Sequence, residues 1–113
     1  MLLLGDLENY SNEEALEHLK NIFGLTTELD NYEILVASID DGGYGGYSYM
    51  LLFDNSSGSY YENIASHCSC YGFEDGFNPQ ETSIEYILSD SFSISDYYGK
   101  GNSAKIKDYI KCQ

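Results

Sequence analysis

Two apolar runs on either side of a glycine-rich break constrain this chain more than any other feature. Glu33 to Asp40 (E-I-L-V-A-S-I-D) is apolar at both odd and even positions, the pattern of a central strand buried on both faces. Tyr47 to Phe53 (Y-S-Y-M-L-L-F) places Tyr47, Tyr49, Leu51 and Phe53 on one face and Met50 and Leu52 on the other. Between them Asp40-Asp41-Gly42-Gly43-Tyr44-Gly45-Gly46 reads as a hairpin connection. It is no phosphate loop, because the Lys-Ser/Thr ending is missing and two aspartates would repel an anion. Asp54 to Gly58 reads as a turn into a third strand near Ser59–Ala65. It is no calcium loop either, since the required Gly and distal Glu are out of register. Three strands in a meander follow.

Helices flank this core. Ser11 reads as an N-cap, with Glu14 three residues on completing a capping box. A helix over about residues 12–23 follows, with Leu16, Leu19, Ile22 and Phe23 on one face and Gly24 placed to end it. Its other face carries Glu13, Glu14 and Glu17. Glu13 and Glu17, one turn apart, repel, and the helix dipole offsets part of that cost. His18 flanks the apolar stripe as a rim residue. Asn78-Pro79-Gln80-Glu81 predicts a second helix start, running to about Leu88. Ser103 to Lys111 predicts a last helix with Ile106, Tyr109 and Ile110 facing inward. Met1 to Leu4 suits a short edge strand or a lid on the core, and Phe92-Ser93-Ile94 a short strand. The expectation is one α+β domain over residues 1–113, a small antiparallel sheet of three to four strands in a meander with two to three helices packed on it.

Charge narrows the function. The chain has 19 Asp and Glu against 5 Lys, no Arg, and a net charge of −14. Nucleic-acid and anionic-membrane binding need clustered cations, so both are disfavoured. Of the cations only Lys20 precedes Lys100, so a basic end is expected to pack on an acidic body. With 42% hydrophobic residues, including 12 Tyr and 5 Phe, the chain is expected to fold rather than to be an acidic disordered tail. The charge serves solubility, or it is shaped to meet a basic protein. Three cysteines and no signal-peptide pattern lead to a cytoplasmic expectation, in a bacterial host cell.

The stretch Ser66 to Pro79 gathers the remaining chemistry. His67, Cys68 and Cys70 are three candidate zinc ligands, with Cys112 or His18 as a fourth. In an extended segment Cys68 and Cys70 point one way and His67 the other, so a zinc site needs a sharp turn. A thiol nucleophile at Cys68 or Cys70 is the other chemical reading, opposed by the surrounding carboxylates, which raise thiol pKa. The plainer account is that both cysteines pack as small hydrophobes in a tight loop. No catalytic residues and no required cofactor are assigned.

The segment His67-Cys68-Ser69-Cys70-Tyr71-Gly72-Phe73-Glu74, followed by Phe77-Asn78-Pro79-Gln80-Glu81-Thr82-Ser83, resembles small acidic proteins encoded by bacteriophages and prophages. In those an H-C-S-C-Y-G-[LF]-E segment precedes an aromatic residue and a P-x-E-T helix start. The similarity spans about residues 33–88. Phe77 and Asn78 stand here where Trp and Glu are usual. That group carries no assigned activity, so the resemblance implies phage origin rather than a mechanism. Together with the charge, it leads to an expected inhibitor of a host defence or nucleic-acid-handling protein, of anti-CRISPR or anti-restriction type, acting by acidic mimicry as monomer or homodimer. Glu13, Glu14, Glu17, Asp40, Asp41, Tyr44 and Tyr47 are the candidate contacts, with the tyrosines as desolvated anchors. A zinc- or thiol-dependent module at His67, Cys68 and Cys70, and an immunity protein against a basic nuclease toxin, are the alternatives.

Overall fold

The structure, a computed structural model, describes residues 1–42, 45–68, 72–94 and 101–112. Its elements in order are β1 (Leu2–Gly5), α1 (Asn12–Phe23), β2 (Tyr32–Asp41), β3 (Gly45–Asp54), β4 (Tyr60–Cys68), β5 (Gln80–Thr82), α2 (Ile84–Ile87) and α3 (Asn102–Lys111). The strands form one sheet in the order β1-β2-β3-β4-β5. The α+β class and the β2–β3–β4 meander are as expected. The sheet is larger and mixed, however: β1 lies parallel to β2, and β5 adds a fifth, antiparallel strand beside β4. Met1 to Leu4 therefore does build an edge strand, and α1 is the connection that lets β1 and β2 run parallel.

Both faces of the sheet are covered, which is why β2 and β3 are apolar throughout. On one face Ala15, Leu19 and Phe23 of α1 pack against Ala37, Ile39, Met50 and Leu52. On the other, Ile87 of α2 and Ile106 and Ile110 of α3 pack against Leu4, Val36, Tyr49 and Leu51. A register shift between Ile34 and Val36 inserts Leu35 as an extra residue. It turns Leu35 and Val36 toward the same side, while Ile34 faces α1.

α1 has the bounds and both ends its sequence implies. The Ser11 hydroxyl accepts the Glu14 amide at 3.1 Å, and the Glu14 carboxylate accepts the Ser11 amide at 3.0 Å. Gly24 ends the helix in the left-handed region at φ 68°, where a side chain would be strained.

The second helix does not start where Asn78-Pro79 predicts. Gln80 to Thr82 pair instead with Glu62 to Tyr60, and a single-turn helix begins after Ser83, whose hydroxyl accepts the Tyr86 amide at 3.1 Å. The Asn78 backbone N–H donates to the side-chain oxygen of Asn63 at 2.6 Å, which takes the donor that a capping-box Glu81 would need. The Asn63 amide nitrogen donates to the Gly76 carbonyl at 3.2 Å, so this fully buried residue ties the 76–78 loop to β4. A local capping signal yields here to a tertiary clasp that satisfies more buried polar groups.

Two smaller expectations change. Phe92 and Ile94 are buried without forming a strand, and the Ile94 amide donates to the Ser103 hydroxyl at 3.0 Å. The basic C-terminal helix packs through Ile106 and Ile110 rather than through charge: among the described residues no lysine forms an ion pair, and Lys107 lies 5.9 Å over the Phe92 ring. No described helix is long and apolar enough to cross a membrane.

Candidate functional site

The acidic residues picked from the sequence divide between the surface and the core. Glu13, Glu14 and Glu17 lie exposed on the solvent face of α1, because Ala15, Leu19 and Phe23 turn the opposite face into the core. With Tyr10, His18 and Asn21 they line one shallow, open groove. Tyr10, 38% exposed, meets the His18 ring edge-on at 5.5 Å between centroids. The result is a carboxylate-rich surface with an exposed tyrosine at its border. The Glu14 carboxyl is held below its ordinary pKa, first by the Ser11 backbone N–H and then by the Ser11 hydroxyl, so it stays ionised as it caps.

Asp40 and Tyr47 do not join that surface. They pair across β2 and β3 on the face covered by α2 and α3, and are 3% and 7% exposed. Both were expected as partner contacts, and the packing of Phe92, Ile94, Ile106 and Ile110 closes this face over them. Tyr44 and Cys70 lie outside the described residues. Asp41 is exposed, yet its carboxylate is 3.2 Å from Nε2 of His67, and its backbone N–H donates to Asp6 at 3.0 Å. It sits at the β2–β3 end of the sheet, paired in register with Gly46 and not with the α1 glutamates.

β4 runs three residues past its expected end, which puts His67 and Cys68 in a strand, where successive side chains point to opposite faces. The His67 ring packs edge-on to Phe73, 4.6 Å between centroids, and covers Gly46. Its Nδ1 is 2.8 Å from the Cys68 carbonyl. Carbonyl and carboxylate are both acceptors, so the ring satisfies both only when each nitrogen carries a proton. In this arrangement His67 is a clasp between the β2–β3 end and β4. Its ligation of a metal would require giving up one of those contacts. Among the described residues no three His, Cys, Asp or Glu side chains gather as a metal site. Cys68 is exposed rather than packed as a small hydrophobe.

Tyr10 and Asn21 were not singled out by sequence. The available signal was position, since Tyr10 stands one residue ahead of the Ser11 cap, where an apolar side chain folds back on the first turns of a helix. No family model, no curated protein and no solved structure matches this chain.

Proposed function

We propose that this protein is a phage-type accessory protein that binds and inhibits a basic, nucleic-acid-handling host protein, using the solvent face of α1 as the mimic of a phosphate backbone. The observation that carries the reading is the grouping of Glu13, Glu14 and Glu17 beside exposed Tyr10 on a helix whose other face is anchored in the core. None of the three forms an ion pair among the described residues, so their charge is directed to solvent. A net charge of −14 adds long-range steering toward a Lys/Arg-lined channel, and Tyr10 supplies an anchor that can be desolvated on contact. Asp41 does not line this groove and adds to the field rather than to this patch.

The test is capture from a bacterial lysate at low and high salt, with wild type and Glu13→Lys/Glu17→Lys as baits. A Lys/Arg-rich nucleic-acid enzyme held by wild type at low salt, released by added DNA and lost with the double variant is the expected result. Capture that is indifferent to salt, to DNA and to the charge reversal would remove the mimicry.

A further inference from the structure

We propose that the groove between α1 and the start of β2 binds a small zwitterion with an apolar side chain, of the chemical class of an apolar α-amino acid or a short peptide built from one. The cavity measures about 430 Å³, within the usual range of small-ligand sites. Leu16 of α1, buried Leu29 and Ile34 of β2 give it apolar walls. Its charged side chains are Lys20 together with Asp30 and Glu33.

Lys20 is the feature that asks for a ligand. It is the one lysine or arginine among residues 1–99 of a strongly acidic chain, it is half-buried, and it forms no ion pair among the described residues. Glu17, one turn earlier on the same helix, does not take it up either. A half-buried lysine beside apolar walls gains from a carboxylate brought to its ammonium. Asp30 and Glu33 are exposed acceptors in the same groove and suit an ammonium.

The overall field chooses between ligand charges. A simple anion would satisfy Lys20 but would have to approach a body of −14, and a simple cation would leave Lys20 unanswered. A zwitterion is neutral to that field and answers both signs at close range. Its carboxylate meets Lys20, its ammonium meets Asp30 and Glu33, and its side chain lies along Leu16, Leu29 and Ile34. This site is separate from the outward glutamates of α1, and its fate is independent of the inhibitor reading.

The experiment is a titration of the full chain followed by backbone amide NMR, with L-leucine and leucyl-leucine as probes. Leucinamide, which lacks the carboxylate, and isocaproate, which lacks the ammonium, are the controls. Saturable shifts confined to Leu16, Lys20 and residues 29–34 are expected, with a Kd of about 1 mM or tighter for one zwitterion and at least about tenfold weaker binding of both controls. Lys20→Gln should keep the folded spectrum and weaken the zwitterion at least about tenfold. Saturation by leucine identifies a free amino acid as the ligand class, and saturation by the dipeptide alone identifies a peptide. The proposal is overturned if neither zwitterion gives saturable shifts there, if a control binds as well as the zwitterions, or if Lys20→Gln binds like wild type.

Discussion

The phenol of Tyr49 donates a 2.7 Å hydrogen bond to the Glu62 carboxylate on the neighbouring strand, from a side chain that is 0% exposed. Tyr49 faces Ile64 in register, so Glu62 reaches it diagonally on the same sheet face, and the Phe92 ring closes over it edge-on at 5.9 Å. Burial, and after it the Glu62 charge, push the Tyr49 phenol far above the ordinary tyrosine value. The folded chain therefore keeps this proton where the unfolded chain releases it. The contribution is complete below about pH 10, the unfolded value, and declines as pH rises beyond it. Urea unfolding from pH 8 to 11 should show that decline, and Tyr49→Phe should flatten it. At pH 7 the same substitution should cost about 1–2 kcal/mol, because it keeps the ring packing and removes a donor to a charged acceptor.

Ser11→Ala removes one arm of the capping box and should destabilise the chain by about 1 kcal/mol in chemical unfolding. The Glu14 carboxyl should move part of the way back toward its ordinary pKa in an NMR titration, since the substitution removes the hydroxyl contact and keeps the larger one from the backbone N–H. Its lowered folded value means that its stabilisation is present above the unfolded pKa and is lost as pH falls through acid. Ser11→Ala should therefore lessen acid sensitivity.

Leu19→Ala and Ile106→Ala probe the two layers separately. Both side chains are fully buried, one under α1 and the other under α3. Each should cost about 2–5 kcal/mol. Because they share no partners across the sheet, the double variant should show nearly the sum of the two single losses by urea unfolding. A much smaller cost for Ile106→Ala would mean that α3 is not an integral layer.

Gly46→Ala tests the His67 clasp. Gly46 pairs with His67 in register, and a Cβ there would run into the imidazole and the Phe73 ring. The ring must leave its place, breaking the 3.2 Å contact with Asp41. A loss of about 1–3 kcal/mol is expected, with a change in the His67 ring nitrogen shifts as the ring leaves its two acceptors. Unchanged nitrogen shifts in a folded Gly46→Ala protein would show that the ring is not held there.

Sequence by itself determined the features whose causes are local. Ser11, Glu14 and Gly24 delimit α1 because capping and left-handed termination involve neighbours within a few residues. The alternation of β3 and the two-faced apolarity of β2 declared central strands, since a period of two maps directly onto sheet faces. The outward glutamates of α1 were legible for the same reason. What tertiary structure alone decided concerns residues whose partners are remote in the chain. Asn63 took the backbone of Asn78 and turned a helix start into strand β5, fifteen residues away. Asp40 and Tyr47 read as surface because nothing nearby in sequence marks the helices and the Phe92 segment that bury them. The clasp of His67 with Asp41, and the pairing of Tyr49 with Glu62, depend on strand register. Register follows from how a whole sheet fits between its two helical layers, and no single stretch of the chain encodes it.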